Sequence, residues 1–391
     1  MSMLENLKAM ARRIRPAPRP RFLRNVYTAS GPRRALLAHL TYPFRTANRF
    51  YHIQYDEARM LAAVLGELGY TVDVVDYDYP RALDYPAYDL MVGMGPQIRQ
   101  AFQNRRDRRP AVWLYSPGIH NHTQNLRVLH QVRAFHERHG RWLLESGRFA
   151  ADDWTSLAVL TDAVIALGNE AVRQTYREQT DRPVYTAPGF YYQTQPVERL
   201  LAARRWDAAP THALWFGSRG LIHKGLDLAL EAVARQPGII LHVCGPLHRE
   251  RSFMEVYRDR ADLQDRVVWH GFTDIRSAAF AEILQTCSFL ISPSCCEGGA
   301  SAVLTALGNG GLIPVASRET GLDLDDYGLA IETLTVDGVA RALQESLALD
   351  TAERARRGAA VVRAMQKHHT PDAYRARLRD ILRLTLSSGS P

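Results

Sequence analysis

Long apolar runs are missing from this chain of 391 residues. None approaches the roughly 20 residues that cross a bilayer, and the basic opening lacks the apolar core of a secretory signal. Cysteine is scarce: Cys244, Cys287, Cys295 and Cys296 are the whole complement, with no Cys-x-x-Cys spacing and no histidine at ligand spacing. Neither a disulfide framework nor a zinc site is expected, and a reducing, cytoplasmic setting fits. Even the adjacent Cys295 and Cys296 read as buried structural thiols. There is no Walker A loop, and no Gly-x-Gly-x-x-Gly follows a leading strand, which disfavours a nicotinamide-dependent oxidoreductase. No Asp-x-Asp metal site stands out, so neither a metal nor a cofactor is expected.

What is present is a folded, globular composition, 46% hydrophobic and 9% aromatic. Its length exceeds one ordinary core, so two domains are expected. The net charge of +8 is confined to residues 1–34, where nine Lys and Arg face only Glu5, while the rest of the chain is neutral. A basic arm on a neutral body points to an anionic surface. Met3, Leu4, Leu7, Met10, Ala11 and Ile14 lie near helical spacing, so an interfacial helix on an anionic membrane is one reading and a solvated tail the other. Nucleic acid is not expected as a partner, because no reader motif follows the arm.

From residue 35 the chain alternates strand and helix patterns, the mark of an α/β fold with buried parallel sheets. Strands are expected at 35–40, 71–75, 88–92, 111–115, 163–167 and 184–187. A linker-like stretch over 189–210 follows, and the alternation resumes with strands at 212–216, 239–243, 267–269, 289–292, 312–316 and 328–331. Helices close the chain at 336–348, 351–367 and 372–385. This gives an N-terminal Rossmann-like domain over 35–205 and a second over 206–369. Ligands of such sheets bind beyond the C-terminal strand ends.

Two of those ends carry unusual residues. Phe216-Gly-Ser-Arg-Gly-Leu-Ile-His-Lys-Gly-Leu-Asp227 sets Arg219 and Lys224 on one glycine-bearing loop, a pair of cations able to grip a diphosphate. Ile291-Ser-Pro-Ser-Cys-Cys-Glu-Gly-Gly-Ala-Ser301 runs from a buried strand through Glu297, Gly298 and Gly299 into a helix. The free N–H groups at that helix start make an anion site with an acid beside it.

These two turns, with Val243-Cys-Gly-Pro246 and Trp269-His-Gly-Phe272 between them, resemble the retaining GT-B glycosyltransferases of family 4, the glycosyl transferases group 1. The resemblance runs from about residue 35 onward and is most specific in the second domain. It implies a GT-B fold, two Rossmann-like doubly wound domains facing a cleft, with the C-terminal helix (370–386) crossing back to the first. It also implies metal-independent transfer of a sugar from a nucleotide-sugar donor to a glycan or lipid-linked acceptor, with retention, as in polysaccharide biosynthesis. Arg219 and Lys224 would hold the diphosphate and Glu297 the sugar. Gly298, Gly299, Ala300 and Ser301 would meet sugar or phosphate. His120, in Ser116-Pro-Gly-Ile-His120, matches the family's catalytic-site histidine, with His122 competing. Arg45, Asn48 and His52 are candidate acceptor contacts. The family's second motif glutamate is replaced by Thr305, which cannot take both ribose hydroxyls as a carboxylate can. A catalytically degenerate GT-B protein, binding a sugar or a partner subunit, is therefore the alternative.

Overall fold

The computed structural model describes residues 21–46, 52–103, 109–206 and 211–387. The helical reading of residues 3–14 and the candidate Asn48 lie outside them. The chain divides into two compact units, Met1–Ala111 and Val112–Pro391.

The first unit carries β1 (Phe22–Tyr27), β2 (Arg34–His39), α1 (Ile53–Glu67), β3 (Thr71–Asp76), β4 (Leu90–Gly93) and α2 (Pro96–Gln103). Its strands lie in the order β1-β3-β2-β4, with β2 parallel to both β3 and β4. Ala35–Ala38 are fully buried, as the apolar run 35–40 predicts. The expected arm over 1–34 needs correction, because β1 lies within it and pairs antiparallel with β3. An edge strand with half-exposed residues and a left-handed Asn25 (φ 50°) carries no buried apolar run to betray it. Aspartates hold it instead: Asp76 accepts from the Arg21 amide at 2.7 Å and Asp73 from the Asn25 amide at 2.7 Å.

The second unit opens with β5 (Ala111–Ser116), α3 (Asn121–His139), α4 (Leu157–Leu160), β6 (Ala163–Leu167), α5 (Glu170–Arg177), β7 (Val184–Ala187) and α6 (Val197–Ala203). Strands β5, β6 and β7 run parallel in that order. Next come β8 (His212–Phe216), α7 (Leu226–Arg235), β9 (Ile240–Cys244), α8 (Arg251–Tyr257), β10 (Val267–Gly271), α9 (Ala278–Thr286), β11 (Phe289–Ser292) and α10 (Ser301–Gly310). The unit closes with β12 (Ile313–Ser317), β13 (Leu329–Ile331), α11 (Val336–Leu347), α12 (Thr351–His368) and α13 (Pro371–Ser387). The second sheet is wholly parallel, in the order β10-β9-β8-β11-β12-β13.

That order reverses direction between β8 and β11, which are hydrogen-bonded neighbours. Loops leaving a sheet at such a switch point diverge to opposite faces and leave a crevice between them. The loop after β8 carries Arg219 and Lys224; the loop after β11 carries Glu297. Topology alone therefore brings together two motifs 73 residues apart.

Of the segment read as a linker, 189–210, the described residues 189–206 contain α6 and pack against the rest of the unit. Phe190 and Tyr191 are buried. Asn309 of α10 accepts from the Thr194 amide at 2.7 Å and donates to the Tyr192 carbonyl at 2.9 Å. The C-terminal helix returns to the β5–β7 sheet, as the fold expectation requires. Tyr374 shares a 2.8 Å hydrogen bond with Tyr115 of β5, and Arg377 donates to the Thr186 carbonyl of β7 at 2.9 Å.

Candidate active site

The loop after β8 is held from both sides. Buried Glu250 accepts the amides of Gly220 at 2.6 Å and Leu221 at 3.0 Å with its two oxygens. The Ser146 carbonyl accepts the amides of Ile222 at 3.2 Å and His223 at 3.1 Å. A loop with that many fixed amides presents its side chains in one geometry. Lys224 points to Glu297 and donates to its Oε1, with both side chains largely buried. His223 Nε2 approaches the same oxygen at 3.5 Å. Arg219, the other expected cation, is exposed.

Burial alone would push the Glu297 carboxyl up. Lys224, the hydrogen bond from His223 and the nearby Arg148 charge outweigh it and hold the acid well below the usual carboxylate range. Burial has the opposite sense on His223 and keeps that imidazole neutral, against the pull of Glu297. The site thus favours an ionised Glu297 between the Lys224 cation and an imidazole biased to its neutral form.

The turn after Glu297 is shaped by backbone contact. A Cβ on Gly298 would fall 2.4 Å from the Pro117 carbonyl oxygen and 2.5 Å from Gly118 Cα. Gly298 therefore serves close approach between main chains, a use the sequence does not suggest, whereas a Cβ on Gly299 would make only ordinary contact with Leu167 and Gly189. Ala300 follows in the left-handed region (φ 39°), uncommon for a residue with a side chain. It stands at the start of α10 with no side-chain cap, so the first amides of Ser301–Gly310 are not taken up by a capping group. Thr305, 7% exposed, donates its hydroxyl to the Ser301 carbonyl at 2.7 Å. Its proton is spent inside the helix, and only acceptor capacity remains.

Gly298 meets Pro117–Gly118, and the same loop leads to His120. That residue is buried and caps α3, its Nδ1 accepting from the His122 amide at 3.3 Å. Its own amide donates to Thr175 Oγ1 at 3.0 Å, and its ring meets Tyr176 edge-on. Burial lowers its pKa, which favours the neutral imidazole. His122 is exposed. In the first unit, Arg45 ends a single 3-10 turn and is exposed, and His52 caps α1, with Nδ1 accepting from the Gln54 amide at 3.3 Å.

Three residues at this site are invisible to motif reading. Arg148 sits in an irregular loop with a left-handed backbone (φ 50°), and nothing in its neighbourhood of sequence signals it. Glu250 follows the quoted Val243–Pro246 turn by four residues, but an isolated acid there reads as solvated. His223 lies inside the Arg219–Lys224 loop and draws attention only once its ring is seen beside Glu297 and Cys296.

The decisive comparison falls on this half of the chain. Residues 213–355, from β8 into α12, match the model of the family described as glycosyl transferases group 1. The chain carries a glycosyl transferases group 1 domain. No curated protein matches the glycosyltransferase chain by sequence. Among solved structures it is similar to the sucrose-phosphate synthase of Thermosynechococcus elongatus, with 16% identity, TM-score 0.60, and 92% of this chain and all (100%) of that one covered. It is similar to the α,α-trehalose 6-phosphate synthase of Burkholderia multivorans at 12% identity and TM-score 0.57, with 92% and 100% coverage. A third likeness is to HepE of Anabaena, solved with UDP and glucose, at 14% identity, TM-score 0.54 and coverage of 92% and 100%. At such identities the likeness speaks to fold, and the glycosyltransferase has the GT-B fold of two Rossmann-like sheets, the first with an antiparallel edge strand. Among the described residues, no helix is long and apolar enough to cross a membrane.

Proposed function

We infer that this glycosyltransferase moves a sugar from a nucleoside-diphosphate sugar to a glycan or lipid-linked acceptor, with retention of configuration. The observation that carries this reading is the Lys224–Glu297 pair at the β8/β11 switch point, beside the uncapped start of α10. The HepE structure with UDP and glucose supports a nucleotide-sugar donor. Residues 206–369 would form the donor domain and 35–205 the acceptor domain.

When the glycosidic bond to the leaving diphosphate breaks, negative charge grows on phosphate oxygens and positive charge on the sugar ring. Lys224 sits where it can share its charge between Glu297 and the diphosphate, and Arg219, exposed on the same loop, adds a fork of donors. The uncapped amides at the start of α10 would add the positive end of the helix dipole. Such preorganised charges stabilise the departing group without a metal. Glu297, held ionised, accepts hydroxyls of the sugar and orients it. His120, buried and neutral, offers a hydrogen bond near the reacting carbon. The test is a panel of nucleotide-sugars scored by thermal stabilisation, followed by turnover with the best ligand. A panel in which none raises the midpoint would overturn the reading.

A second reading rests on Thr305. Its hydroxyl proton is committed to Ser301, so it offers a ribose only an acceptor. A chain that binds a nucleotide-sugar yet neither transfers nor hydrolyses the sugar would be a catalytically degenerate, sugar-binding member of the family.

A further inference from the structure

Behind the Glu297 carboxylate lies a cluster that glycosyl transfer does not use. His223, Cys295 and Cys296 are buried together, with one candidate ligand atom from each lying within 4.8 Å of the others. Cys295 Sγ lies 3.6 Å from Cys296 Sγ, and Cys296 Sγ lies 3.5 Å from His223 Nδ1. We propose that His223 Nδ1, Cys295 Sγ and Cys296 Sγ form a binding site for a thiophilic cation such as Zn²⁺, with a fourth position for an exogenous ligand.

The distances carry the proposal. Zinc bonds of about 2.3 Å to sulfur and about 2.0–2.1 Å to nitrogen, set at the tetrahedral angle, place two sulfurs about 3.8 Å apart and sulfur and nitrogen about 3.6 Å apart. Two of the three edges, 3.6 and 3.5 Å, match that figure, and the third, between Cys295 and His223, lies within 4.8 Å, short enough to close on a cation. Two sulfurs and an imidazole select soft or borderline cations over Mg²⁺ and Ca²⁺.

The surroundings are those of a built site. His223 turns its other nitrogen, Nε2, to Glu297 at 3.5 Å, the carboxylate–histidine relay that orients ligating imidazoles. The two ligand-bearing loops are stapled together: the His223 carbonyl accepts from the Cys295 amide at 3.0 Å and from Ser294 Oγ at 3.1 Å. Ser317 Oγ donates to the Ser294 carbonyl at 2.6 Å. Gly225, left-handed at φ 67°, lets the loops close, since a Cβ there would sit 2.0 Å from the Pro293 carbonyl oxygen.

Binding balances simply. The cation replaces two thiol protons, which leave to solvent, and the dication with two thiolates is neutral. With Nδ1 on the cation, the imidazole proton must reside on Nε2 and faces Glu297, so occupancy fixes the tautomer beside the active-site carboxylate.

The test uses the full chain, freed of metal and kept reduced, titrated with Co²⁺. We expect one equivalent to give thiolate-to-cobalt charge-transfer absorption, displaced by Zn²⁺, with release of about two protons per ion. Cys295→Ser and Cys296→Ser should each abolish the band, Cys287→Ser should keep it, and Glu297→Gln should weaken affinity about ten- to a hundredfold. X-ray absorption of the wild-type zinc form, which needs no variant, should show two sulfur ligands. A folded wild type without the charge-transfer band, a band surviving in Cys296→Ser, or a zinc shell of nitrogen and oxygen alone would overturn the proposal. None of these readouts requires glycosyl transfer, so the site stands or falls apart from the proposed activity.

Discussion

Lys224 and Glu297, 73 residues apart in sequence, meet in one largely buried ion pair at the crevice between β8 and β11. The cation read for the diphosphate and the acid read for the sugar thus neutralise each other directly, and in the proposed reaction the donor would share that pair. Each partner sets the other's geometry, so neither can be removed without disturbing both halves of the donor site.

For Lys224→Ala we expect sugar transfer to fall by about 10²–10³-fold, the usual cost of one charge-stabilising donor. Circular dichroism should show the fold retained. Transfer at the wild-type rate would remove Lys224 from the chemistry.

The pair also predicts a pH dependence of stability. Glu297 has a depressed folded pKa, so the folded state binds its proton less readily than the unfolded state does. The stabilisation is complete above the unfolded value of about 4.3 and is lost as pH falls below it toward the folded value. Glu297→Gln leaves Lys224 without its partner and should cost roughly 3 kcal/mol at neutral pH. Urea unfolding should show that difference shrinking below about pH 4; a pH-independent gap would contradict the assignment.

Two glycines in contact should differ sharply in their tolerance of a side chain. Gly298→Ala drives a methyl into Pro117 and Gly118, whereas a Cβ on Gly118 meets nothing within 4 Å. The first should lower stability by about 1–3 kcal/mol, the second by a few tenths at most. Equal melting points for the two variants would rule out the close contact.

Much of this was legible in the sequence, for a physical reason. Strands buried on both faces, such as Ala163–Leu167 and Phe289–Ser292, are continuous apolar runs and appear in the structure with the expected limits. Lys224 and Glu297 sit on strand-end loops, which sequence can place; what it lacks is strand order, and only the neighbouring of β8 and β11 joins them. Edge strand β1 escaped because its pairing rests on backbone and aspartate contacts, with little apolar burial. Arg148, Glu250 and the His223–Cys296 contact escaped because long-range proximity leaves no local pattern.

Strand β1, beginning at Phe22, sets the limit of a truncation that tests the basic arm. Deleting residues 1–20 spares Phe22–Tyr27 and should weaken co-sedimentation with anionic vesicles, more so at low salt. Unchanged co-sedimentation would mean the arm is a solvated tail.

The helix Pro371–Ser387 has a consequence for how the chain is made. Its Tyr374 closes on Tyr115 and Phe190, partners synthesised long before it. During translation the β5–β7 sheet must wait, with an apolar face uncovered, while the whole second sheet is produced and emerges. The early strands cannot finish packing until the helix Pro371–Ser387 has emerged, with Tyr374 following Tyr115 by 259 residues.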